Sequence, residues 1–102
     1  MPTYLILRIT VHDPDKLKPY QQVAPSIIEK YEGKLLARGG EVVSLEGPDE
    51  NRRMVIIEFP SMEKAKRFYN SPEYTKAIEL RKGAADFEIV AVEGLNQANH
   101  HL

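Results

Sequence analysis

Cysteine and tryptophan are both absent from this chain. Without cysteine there is no disulfide framework, no thiol nucleophile and no thiolate for a zinc site. No apolar run approaches the ~20 residues of a membrane span. The first residues enter a strand pattern without the basic and apolar regions of a signal peptide, so the cytoplasm is the expected location. An excess of charge is lacking too: the formal net charge is −1 and the isoelectric point about 6.3. That argues against a nucleic-acid or anionic-membrane surface, which needs a clustered positive field. The three histidines fall in a strand-to-helix turn (His12) and near the C-terminus (His100, His101), and no H-x₃-H or H-E-x-x-H spacing occurs. Neither a metal nor a cofactor is expected.

What is present suits one small globular domain: 102 residues, 28% charged and 42% hydrophobic. Residues 1–95 carry all the pattern, and 96–102 read as a flexible tail without metal ligands enough for a site. Thr3–Val11 alternates, with Leu5, Leu7, Ile9 and Val11 on one side and Tyr4, Ile6, Arg8 and Thr10 on the other. Asp13-Pro14 is a cap-plus-proline helix start, followed by a stripe of Leu17, Tyr20, Ala24, Ile27, Ile28 and Tyr31 that Pro25 should kink and Gly33 end. Lys34–Gly47 has the aliphatic content of a strand, interrupted by Arg38-Gly39-Gly40, and paired glycines there predict a bulge or a close approach. Arg53–Phe59 is nearly continuous in apolar character, as a central strand is. Ser61 and Ser71-Pro72 each cap a helical piece, so this second helical region is split in two. Asp86–Glu93 is the last strand.

The order β-α-β-β-α-β predicts an α+β, ferredoxin-like sandwich with a four-stranded antiparallel sheet, its first and third strands central. Both helical regions then cover one face. The other face carries Tyr4, Ile6, Val42, Met54 and Ile56, too apolar to leave in water, and a partner subunit's sheet is its simplest cover. On that face Arg8 and Glu58 are expected to pair.

Taken together, Tyr20, Arg38-Gly39-Gly40, Glu46-Gly47, Phe59-Pro60-Ser61, Ala65, Ser71-Pro72-Glu73-Tyr74, Arg81 and Glu93-Gly94 resemble the domain-of-unknown-function family 1330 from about residue 2 to 95. The resemblance implies a dimeric α+β barrel, two ferredoxin-like sheets face to face, and implies no activity. Similar barrels bind haem or run cofactor-free oxygenation through tryptophan or helix histidines, which this chain lacks.

Five residues are candidates for a ligand site. Arg81 falls on the inward stripe of Tyr74, Ala77 and Ile78, where a guanidinium needs either a ligand or an internal partner. Arg38 is either aimed at an anion by its glycines or is a surface arginine beside a bulge. Glu46 either orients Arg38, acts as a general base if desolvated, or, as the favoured reading, forms an ordinary structural salt bridge. Tyr20 and Tyr74 shape the site or simply fill the core. The residues favour a homodimer that binds a small anionic metabolite between sheet and helices. The alternatives are an enzyme using Glu46 as base with a tyrosine as acid, and an interaction module without a ligand.

Overall fold

The computed structural model describes residues 1–95. The expected tail, with His100 and His101, lies outside the described residues. The elements are β1 (Thr3–Val11), α1 (Pro14–Lys30), β2 (Lys34–Arg38), β3 (Arg53–Phe59), α2 (Met62–Tyr69), α3 (Pro72–Leu80) and β4 (Ala85–Glu93). The strands form one antiparallel sheet in the order β2-β3-β1-β4, the ferredoxin-like arrangement. No helix among the described residues is long and apolar enough to cross a membrane.

Period-2 alternation decides which face of the sheet is covered. Leu5, Leu7 and Ile9 of β1 and Val55, Ile57 and Phe59 of β3 are buried, and the intervening residues are only half-buried. The buried set packs against Leu17, Tyr20, Ala24 and Ile28 of α1, Ala65 and Phe68 of α2, and Tyr74 and Ala77 of α3. Each helix begins where a side chain takes up an otherwise orphaned N–H. The Asp13 carboxylate accepts from Lys16 N at 3.1 Å, Ser61 Oγ from Lys64 N at 3.2 Å, and Ser71 Oγ from Tyr74 N at 3.1 Å. Ser71 also donates to the Phe68 carbonyl at 2.7 Å, so one buried hydroxyl ends α2 and starts α3. Helix α1 runs through both Pro19 and Pro25.

Three sequence expectations are corrected. β2 ends at Arg38, and residues 40–52 form no strand. Val42, Val43 and Leu45 therefore lie in an arm, and Leu45 is 94% exposed. The bulge falls at Leu36, before the glycines, between the pairs Leu35↔Ile57 and Ala37↔Ile56. Arg8 does not pair with Glu58. The antiparallel register sets Tyr4 opposite Glu58 and Arg8 opposite Met54, about 14 Å along the strand. Arg8 Nε instead meets Glu50 Oε1 at 3.1 Å. Glu50 also accepts from Arg52 Nε at 2.8 Å, and Arg52 Nη1 reaches Glu88 Oε2 at 3.0 Å. This chain of charges anchors the end of the arm to the uncovered face.

Glu73, in the first turn of α3, ties that helix to the end of α1. It pairs with Lys30 and accepts from the Tyr31 hydroxyl at 2.8 Å. The Lys30 hydrogen bond, more than any other contact, draws its carboxyl down to about 2 from an ordinary 4.5. A value lowered on folding means that the contribution is complete above pH 4.5 and drains away as the pH falls toward 2. Melting temperature followed from pH 7 to pH 2.5 is expected to decline most steeply below 4.5, and Glu73→Gln to flatten that decline while lowering the melting point at neutral pH.

Candidate functional site

A cavity of about 350 Å³ lies between α1 and the covered face of the sheet. Its walls are mainly aliphatic and aromatic: Leu7, Ile9, Val55 and Ile57 from the sheet, and Ala24 and Ile28 from α1. Tyr20 and Tyr74 are its buried polar groups, joined by a hydroxyl-to-hydroxyl bond of 2.6 Å. Burial pushes both phenols above their ordinary value, Tyr20 the further because Tyr74 adds to the effect. Both are therefore neutral at physiological pH and donate or accept hydrogen bonds without carrying charge.

The solvent-facing side of the cavity is lined by Arg38, which is exposed, and Arg53, which is half-buried. Their placement follows from the backbone. In an unbroken strand, residues 35 and 38 point to opposite faces. The extra residue at Leu36 restores both to the helix side, because Leu35 pairs with Ile57 and Arg38 with Val55. Arg53 shares its face with Val55, Ile57 and Phe59 by plain alternation. Gly39 makes room for it. Its φ is +69°, in the left-handed region, and a Cβ there would collide with the Arg53 guanidinium. The Gly39 N–H holds the strand end by donating to the Met54 carbonyl at 3.0 Å. Among the described residues, no carboxylate forms an ion pair with Arg38 or Arg53, and none lines the cavity.

Arg81 stands elsewhere. It is only 7% exposed and closes α3 as its C-cap. Its guanidinium lies 3.6 Å over the Phe87 ring, 5.1 Å from the ring of Tyr20 and 5.7 Å from that of Tyr74. Nη1 is buried without a hydrogen-bond acceptor among the described residues. Arg81 does not line the cavity of Arg38; it lines a second cleft of about 470 Å³, and Phe87 borders both. The structure thus brings Tyr20, Tyr74 and Arg38 together and sets Arg81 behind the aromatic wall.

Glu46 joins neither group. It is exposed in the arm and lines neither space. The glutamate that organises arginines is Glu50, on the opposite face, whose backbone N–H is held by Ser44 Oγ at 2.7 Å. Arg53, Gln21 and Phe87 are lining residues that the sequence reading passed over. Arg53 was within reach of it, since it stands two residues before Val55 in an alternating strand. Gln21 and Pro25 lie one turn apart on α1, where the proline cannot donate to the Gln21 carbonyl.

The family described as Domain of unknown function (DUF1330) matches residues 2–95. The chain belongs to that family. No functionally curated protein matches it. Among solved structures, it resembles RPA0582 of Rhodopseudomonas palustris, a protein of unknown function, with TM-score 0.70 and 24% identity over 93% of this chain and 83% of that one. A dimeric ferredoxin-like protein of unknown function from Jannaschia sp. CCS1 has TM-score 0.70 and 10% identity, over 92% of this chain and 100% of that one. SnoaB of Streptomyces nogalater, a cofactor-independent oxygenase, has TM-score 0.66 and 12% identity, over 94% of this chain and 95% of that one. At these identities the likeness is one of fold.

The tyrosine pair sets a stability test. Tyr20→Phe leaves the Tyr74 hydroxyl buried without its partner and is expected to cost about 1–3 kcal/mol. In the double variant Tyr20→Phe/Tyr74→Phe the orphan is gone, so the cost is expected to fall short of the summed single costs by at least ~0.5 kcal/mol. Urea unfolding of the three variants measures the coupling.

Proposed function

We propose that this chain is a cytoplasmic homodimer that binds a small anionic metabolite with an apolar body in the cavity under α1. The observation that carries this reading is a pair of arginines at the open side of an apolar cavity, with no carboxylate among the described residues to neutralise them. Two guanidiniums so placed repel each other, and an anion relieves the repulsion while accepting from their forked donors. The Tyr20–Tyr74 pair offers a neutral hydrogen-bonding point at the buried end, suited to a hydroxyl or carbonyl on the ligand. Acid–base catalysis is the weaker reading. It needs a base, yet Glu46 does not line the cavity, no other carboxylate or imidazole among the described residues does, and burial keeps both phenols protonated.

Small aryl carboxylates such as benzoate and phenylacetate are expected to raise the melting temperature, whereas phenol and benzyl alcohol, of similar shape but uncharged, are not. Arg38→Met/Arg53→Met is expected to keep the fold and weaken carboxylate binding by roughly 1.5–3 kcal/mol, about ten- to a hundredfold. A calorimetric titration in which the double variant binds as tightly as the wild type would refute the site.

The homodimer rests on the uncovered face. Ile6 stands between Ile56 and Val90 across three strands, with Met54, Tyr4 and Val92 beside them. Val90 and Val92 are 51% and 48% exposed, and no element among the described residues packs there. Such a contiguous apolar sheet face, rimmed by Arg8, Glu50, Arg52 and Glu88, suits a second copy of itself. Light scattering at micromolar concentration is expected to report about twice the 11.6 kDa chain mass. Ile56→Lys, which sets a charge at the centre of the face, is expected to give monomer or unfolded chain.

A further inference from the structure

Arg81 presents a chemical problem that the cavity under α1 does not resolve. A guanidinium that is 7% exposed has one nitrogen, Nη1, sealed from water without an acceptor among the described residues, and the ring faces of Phe87 and the tyrosines around it. Cation–π contact with Phe87 and the tyrosines offsets part of the cost of burial but supplies no counterion. The C-terminus of α3 favours a cation here, though only as a partial charge.

The cleft beside it has the complementary chemistry. Lys66 of α2 and Asn70, the residue that caps α2, line it with Arg81, and no acidic residue among the described residues does. The apolar part is Phe87, Ile89 and Ala91, alternate residues along β4 that span about 14 Å. Ala65 and Ala91 are small where larger side chains would fill the space. Cations at one place and a long apolar strip describe an amphipathic anion. With Nη1 sealed, the edge left to a ligand is Nε–Nη2, which holds a planar carboxylate in its own plane through two parallel bonds.

We propose that the cleft between α2 and the β1–β4 side of the sheet is a second anion site, separate from the cavity of Arg38 and Arg53, and that it takes a monocarboxylate with an unbranched apolar stem. The carboxylate sits on Arg81, with Lys66 and Asn70 as further donors, and the stem lies along Phe87, Ile89 and Ala91. The site does not depend on the first cavity being occupied.

Octanoate, 1-octanol and inorganic phosphate titrated into the ¹⁵N-labelled full-length protein test this. Octanoate is expected to shift the amides of residues 65–70 and 87–91 and the Arg81 Nε–H signal saturably, and to do so equally in Arg38→Met/Arg53→Met. Octanol and phosphate are expected to bind at least tenfold more weakly, the first lacking the charge and the second the stem. Arg81→Met is expected to lose at least tenfold in octanoate affinity, with Arg81→Lys intermediate. If Arg81→Met does not fold, Lys66→Met, whose side chain is on the surface, serves in its place and is expected to lose severalfold. The proposal is overturned if octanol binds as well as octanoate, if the shifts are confined to residues lining the first cavity, or if Arg81→Met (or, where that variant does not fold, Lys66→Met) keeps full affinity. Loss of aryl carboxylate binding at Arg38 and Arg53, with these shifts intact, would remove the first site and leave the second.

Discussion

The bond between the hydroxyls of Tyr20 and Tyr74 sets the spacing on which the interior depends. It joins α1 to α3 at 2.6 Å through two full phenol side chains. The two rings meet edge to face with centroids 6.1 Å apart, so the pair ties α1 to α3 beside the space beneath α1. The same rings, with Phe87 set edge-on to Tyr20 at 5.3 Å, form the wall against which Arg81 stacks. One aromatic cluster therefore lines a cavity on one side and shelters a cation on the other.

The division of charge follows from this arrangement. Acidic and basic residues are nearly balanced overall, yet the balance is not local. Carboxylates hold Arg8 and Arg52 on the uncovered face and Lys30 and Lys64 near the ends of the helices. Arg38, Arg53 and Arg81 are turned toward the helix side of the sheet, and no acid among the described residues lines the two spaces there. A near-neutral chain thus places positive charge beside apolar walls that strengthen its effect.

Much of the fold was legible because it rests on local rules. Strand β1 follows from alternation and β3 from its nearly continuous apolar run, the helix starts from Asp13, Ser61 and Ser71, and the break between α2 and α3 from Ser71-Pro72. The segment after Arg38 was misread because its composition is that of a strand, whereas pairing requires a neighbour, and Val42, Val43 and Leu45 have none among the described residues. The site was only half legible for a related reason. Helical spacing turns Arg81 inward, but which space it borders depends on Phe87, a residue of the last strand. Glu46 stood close to Arg38 in sequence, while the fold gave the organising role to Glu50 on the other face. Proximity along the chain says little about which side of a sheet a loop residue reaches.

The bulge at Leu36 carries a consequence for how such a protein changes over time. Side-chain identity at position 38 determines that an arginine is there, but the bulge determines which compartment it serves. If β2 paired without the bulge at the same residue count, strict alternation would turn the guanidinium toward the opposite, apolar surface, where a cation is unwelcome. Loss of the bulged residue itself leaves the arginine two positions after Leu35 and so still on the helix side. The polarity of the two faces at this edge is therefore set by residue count and bulge together rather than by substitution at position 38. Relatives that keep the count but lose the bulge are candidates for having exchanged a binding surface for an assembly surface.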